Sequence, residues 1–150
     1  MNTDDKKAGN VVEKLIETCK NGEEGYKDAA AHVKRPDLQT YFQQQSAERA
    51  RFVHELQTEL GNLGKAGKKD SGSVAGALHR AWIDTKASLG GGDKTILESV
   101  EQGEDNAKAN YQEALAGSLP SNVAEIVGRQ AASVQRAHDK VKSLRESIAA

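Results

Sequence analysis

Two stretches of this chain, 81 positions apart, are near copies of each other. Residues 15–24 read LIETCKNGEE and residues 96–105 read ILESVEQGED. Leu15 and Ile96, Ile16 and Leu97, Glu17 and Glu98, Thr18 and Ser99, Gly22 and Gly103, Glu23 and Glu104, and Glu24 and Asp105 all correspond. The two prolines repeat as well, Pro36 and Pro120 lying 84 positions apart. A unit that recurs with its turn is a supersecondary unit, and its helical period makes it a helical hairpin with carboxylates near its centre.

A chain of 150 residues fits one domain around one core. With 4% aromatic and 37% hydrophobic residues, that core must come from Ala, Leu, Val and Ile, and alanine favours helices that approach closely. The formal net charge of −1 argues against a phosphate-binding surface, and no basic stripe with interleaved aromatics occurs. Nucleic acid is therefore excluded as a partner. No apolar run of 18 residues occurs and MNTDDKKAGN has no apolar leader segment, which excludes a membrane span and points to a cytoplasmic protein. The lone Cys19 allows neither an intramolecular disulfide nor a CxxC metal site and reads as a buried structural thiol.

Apolar spacings of three and four predict helices over about 10–34, 37–63, 73–89, 93–116 and 121–148, behind a flexible polar arm at residues 1–9. Pro36 marks the first turn and Pro120 the second. Residues 64–72 form a basic loop, and Gly90-Gly91-Gly92 ends a short crossover helix carrying His79 and Trp82. Asp93 is placed to cap the helix that follows, and Asn122 with Glu125 is placed for a capping box.

Polar residues interrupt the apolar stripes. Ile16, Glu23 and Ala30 share a heptad position, as do Leu97, Glu104 and Tyr111. Gln45 and Glu48 fall in the stripe of the second helix, and Gln130 and His138 flank Val134 in the last. Residues equally far from a hairpin turn lie level, which pairs Glu23 with Glu48 and places Glu104 between Gln130 and His138. Each helix thus sends polar groups towards one layer, to which Tyr26 and Tyr111 add hydroxyls.

Two helical hairpins joined by a long crossover, with a central glutamate on the first and third long helices, resemble the ferritin-like superfamily. The segments IETCKNGEEGYKDAA, DSGSVAGALHRAW, EQGED and QRAHDKVKSLR resemble, more specifically, a bacterial family of uncharacterised four-helix-bundle proteins (a domain of unknown function). The resemblance covers roughly residues 10–148. It implies an all-α, antiparallel ferritin-like four-helix bundle with an extra short helix in the crossover between the second and third long helices.

The superfamily often holds two metal ions between one Glu from each of two helices and Glu-x-x-His from each of the other two. Glu23 and Glu104 match the single glutamates, but no Glu-x-x-His exists in this chain: Ala29, Arg51, Gly76 and Gln135 stand three residues before the four histidines. Two readings of the polar layer stay open. One is a hydrogen-bonded network in which Arg49 bridges Glu23 or Glu48, completed by Gln45, Gln130, His138, Tyr26 and Tyr111. The other is a single manganese, iron or zinc ion held by Glu23, Glu48, Glu104 and His138. The first suits a non-catalytic protein that binds a partner or self-associates, linked to stress or metal handling by the superfamily resemblance alone. The second suits a metal-binding protein or oxidoreductase with a degenerate site. Dimerisation through the crossover helix around Trp82 is a third expectation.

Overall fold

Each long helix carries one row of inward residues at alternating steps of three and four, and those rows decide the architecture. The computed structural model describes residues 3–64 and 92–148. Among them are four helices and no strand: α1 (Thr3–His32), α2 (Pro36–Asn62), α3 (Gly92–Ala116) and α4 (Ser121–Ser147). On α1 the inward row is Val12, Leu15, Cys19, Gly22, Tyr26 and Ala29, continued by Val33 just past the helix end. On α4 it is Val123, Val127, Gln130, Val134, Ala137 and Val141, all buried. This is the knobs-into-holes pattern of a helix bundle.

Helix α1 packs on α2 and α3, and α4 packs on α3 and α2, so α1 faces α4 and α2 faces α3 across the diagonals of a four-helix bundle. Lys14, early in α1, reaches Glu113 late in α3 at 3.3 Å, while Thr18 accepts from Asn110 at 3.0 Å. On the other side Glu59 of α2 accepts from Asn122 of α4 at 3.0 Å, and Arg129 reaches Glu55 at 3.0 Å. Among the described residues the core divides into two apolar clusters. Cys19, Phe52, Leu56, Tyr111 and Val127 belong to one, and Tyr26, Phe42, Leu97, Val100 and Val141 to the other. The break falls at Gly22, Arg49 and Glu104, where the rows turn polar.

Helix boundaries follow local chemistry. Pro36 opens α2, where its fixed φ suits the first helical position and its missing N–H costs nothing. Gly64, at φ +80°, follows the α2 C-cap Leu63 in the left-handed conformation that only glycine adopts freely. Helix α1 starts seven residues before Asn10, and Ala8 is already buried, so the stretch read as a flexible arm is helical from Thr3. The capping box expected at Asn122 and Glu125 does not form: α4 is capped at Pro120 without a side-chain bond, and Asn122 serves Glu59 instead. The crossover helix over 73–89, with His79 and Trp82, lies outside the described residues. No helix among the described residues is long and apolar enough to cross a membrane.

Asp93 does more than begin α3. Its carboxylate accepts from the backbone N–H of Lys34 at 2.7 Å and of Arg35 at 3.1 Å, tying α3 to the turn between α1 and α2. These donors precede the first turn of α2 and have no carbonyl within that helix to serve. Asp93→Ala is therefore expected to lower stability by about 1–2 kcal/mol in urea titrations. Asp93→Asn, which keeps one acceptor oxygen, is expected to lose less.

Candidate functional site

The polar layer is built around a buried cation. Arg49 projects from α2 to within 2.5 Å of Glu104 Oε2 on the diagonally opposite α3, and the two side chains are 1% and 3% exposed. Tyr26 of α1 donates its hydroxyl proton to the same carboxylate oxygen at 2.9 Å. The guanidinium also lies 5.4 Å from the centroid of the Tyr26 ring, within cation–π range. Gly22 provides the room: a Cβ there would meet an Arg49 terminal nitrogen at 3.0 Å. Burial by itself would lower the Arg49 pKa, but the Glu104 carboxylate, together with Tyr26 and Cys19, raises it above its ordinary value and the guanidinium stays charged. Burial, reinforced by the Glu104 charge, pushes the Tyr26 hydroxyl well above its ordinary value, so Tyr26 stays a donor.

A second chain of hydrogen bonds crosses all four helices about two turns away. Cys19 and the Tyr111 hydroxyl lie 3.0 Å apart, and Tyr111 donates to Gln130 Oε1 at 2.8 Å. Gln130 Nε2 donates to Glu55 at 2.9 Å, and Glu55 accepts from Arg129 at the surface. Burial raises the Cys19 thiol to about 11, with Arg49 and the Tyr111 bond pulling the other way. Such a thiol is protonated and poorly nucleophilic at neutral pH. Burial likewise pushes Tyr111 far up. Partial burial would raise Glu55, but its bonds from Gln130 and Arg129 bring it below the ordinary carboxylate value.

A third group lies between α3 and α4. His138, itself buried, has Nε2 2.6 Å from Asp105 and Nδ1 3.1 Å from Asp139. Glu101, one turn before Asp105, is bound by Arg145.

The four residues read as metal ligands are not drawn together. Glu104 is taken by Arg49 and Tyr26, and His138 by Asp105 and Asp139. Glu48, half-buried, accepts from Ser133 and lies 3.7 Å from Arg51. Glu23 is half-buried on the flank of α1, its backbone carbonyl accepting from Ser46 at 2.8 Å. The reason is a displacement of one position in two stripes: the row facing the core passes through Gly22 and Arg49, so Glu23 and Glu48 fall beside it. Arg49 accordingly bridges Glu104 rather than Glu23 or Glu48. Of the expected polar layer, Tyr26, Tyr111 and Gln130 are buried and bonded; Gln45 is half-buried and its Oε1 has no protein partner. Glu55, Asp105 and Glu101 were not singled out by the spacing, because each lies at the edge of its stripe.

Two outcomes test this electrostatic account. Arg49→Met leaves the Glu104 carboxylate buried without its counter-ion and is expected to cost about 3–5 kcal/mol. The double variant Arg49→Met/Glu104→Met is expected to recover all or more of that loss in the same denaturation assay. Arg49 Nε and Gln45 Oε1 find no protein partner, so the intact layer is itself incompletely satisfied. The raised thiol pKa of Cys19 contributes stability that is complete below its ordinary 9.0 and lost as pH rises through about 11. Stability measured from pH 8 to 11 is expected to fall more steeply in the natural chain than in Cys19→Ala.

Residues 7–117, spanning nearly all of α1 through α3, match the model of a protein family described as Domain of unknown function (DUF2383). No curated protein matches the sequence.

Proposed function

The chain belongs to the DUF2383 family, and we propose that it is a non-catalytic, ferritin-like bundle that uses an internal arginine where metal-bearing relatives of that architecture use an ion. The carrying observation is the 2.5 Å contact of Arg49 with Glu104 at the centre of the bundle. Glu104 is the α3 carboxylate that the superfamily pattern would assign to a metal. A guanidinium on it supplies the same charge compensation and repels a second cation from the layer. The residues present therefore do not fit a central metal: Glu23 and Glu48 stand beside the core row, and His138 is engaged by other carboxylates.

The ferritin-like, antiparallel assignment draws support from the sense of the contacts. The contacts of Lys14 with Glu113 and Lys34 with Asp93 support opposite directions for α1 and α3, as those of Glu48 with Ser133 and Glu59 with Asn122 do for α2 and α4. The long connection then joins diagonal helices. Such a scaffold acts through its outer faces, by engaging a protein partner or a second copy of itself in the cytoplasm, and its place in stress or metal handling rests on the superfamily resemblance.

Metal analysis separates this reading from a degenerate metal centre. Untagged protein is dialysed against manganese, iron or zinc, freed of unbound ion, and its metal content measured beside that of Glu23→Ala, Glu48→Ala and Glu104→Gln. No variant is expected to change the metal content, and Glu104→Gln is expected to lower the melting temperature alone. Metal that disappears with any of the three substitutions overturns the scaffold reading and restores the central site.

A further inference from the structure

We infer that Glu101, Asp105 and His138 form a peripheral site for a divalent first-row cation, zinc being the best fit, on the seam between α3 and α4. One ligand atom from each lies within 4.8 Å of the other two. The two carboxylates come from successive turns of α3 and the imidazole from α4, so the ion would link the two helices of the second hairpin.

Proximity of acidic groups alone would carry little; the setting of the histidine carries the argument. His138 is 8% exposed, and its Nε2 stands 2.6 Å from Asp105 Oδ1. A carboxylate oxygen and an imidazole nitrogen that close repel unless a cation, a proton or a metal, lies between them. On the opposite edge of the ring, Asp139 Oδ1 lies 3.1 Å from Nδ1. Asp139 is outside the ligand set; in the tautomer that carries its proton on Nδ1, the Asp139 carboxylate accepts that hydrogen bond and the Nε2 lone pair faces Asp105 and Glu101. This carboxylate–histidine arrangement is the one that orients metal-bound imidazoles and raises their basicity. Zinc–nitrogen and zinc–oxygen bonds of about 2.0 Å at a tetrahedral angle need the two atoms about 3.3 Å apart, so binding opens the present contact by less than an ångström. One imidazole nitrogen with two carboxylate oxygens favours zinc over magnesium or calcium, which prefer oxygen alone. The Asp105 side chain is 60% exposed and leaves a way in from solvent, with water completing the fourth position.

Arg145 is the built-in competitor. It binds Glu101 through Nε and, at 3.5 Å, through a terminal nitrogen. The same arginine lies 3.9 Å from Glu146, an alternative partner once Glu101 turns to the ion. Binding here exchanges one cation for another, which sets an unusual sign: removing a positive charge at position 145 strengthens the site.

The inference is independent of the scaffold reading, because the site shares no residue with the Arg49–Glu104 centre. The test is calorimetric titration of zinc chloride into the untagged full chain at neutral pH, with helicity checked for each variant. One zinc per chain is expected. Asp105→Asn is expected to weaken it at least about tenfold, His138→Gln to abolish it, and Asp139→Asn to weaken it about 10- to 100-fold. Arg145→Gln is expected to tighten binding, and Glu104→Gln to leave it unchanged. Asp105 and Arg145 lie towards the surface, so their variants keep the test decisive if His138→Gln fails to fold. Absence of zinc binding, or binding indifferent to Asp105→Asn and Arg145→Gln, overturns the site and leaves the scaffold reading standing. Binding that follows Glu104 instead of Asp105 overturns both.

Discussion

A buried charge needs a counter-charge, and at the centre of this bundle Arg49 and Glu104 meet that requirement across the diagonal. Everything near the pair serves it. Gly22 removes a side chain so that the arginine can pass α1, and Tyr26 supplies both a hydroxyl for the carboxylate and a ring face for the guanidinium. The apolar core is split into two clusters because the layer between them is spent on this interaction. In return the pair sets register: sliding α2 or α3 by one turn would strand an ion in a medium that solvates it poorly.

The bundle class was legible because its signal is distributed. The repeat, the two prolines and four stripes of apolar residues each point to helices packed in a bundle, and no single error in one stripe can undo that. The site was less legible because it depends on single positions. Neighbouring positions differ by 100° around a helix, and in α1 both Ile16 and Leu15 are buried, so either the Glu23 row or the Gly22 row satisfied the apolar pattern. Gly22 is the informative residue: a glycine weakens a helix interior, and the room it leaves is filled by Arg49. The repeat also misled, since it aligns Glu23 with Glu104 while the packing equates Gly22 with Glu104.

Partners of the edge residues were harder still. Asp93 looked like a cap for its own helix and instead serves the backbone of a turn 58 residues earlier in the chain. His138 was rightly placed inward, but Asp105, the neighbour of Glu104, is what it meets. Such choices are made by the relative rotation of packed helices, a quantity set by all side chains at the seam rather than by any motif. The outcome is a division of labour within α3: Glu104 faces the core and its arginine, while Glu101 and Asp105, three residues before it and one after, face α4 and a different set of cations.

Arg49 belongs to the first hairpin and Glu104 to the second, and this has a consequence for how the chain acquires its structure. Each hairpin can assemble quickly from local contacts. Either one alone, however, would carry a naked ion on the surface it must later bury, and that ion remains hydrated until its partner arrives. Dehydrating the two charges thus coincides with docking the hairpins, at the step that brings the end of α2 and the start of α3 together. The late barrier falls on assembly rather than on helix formation, and half of the molecule gains little by folding before the other half is present.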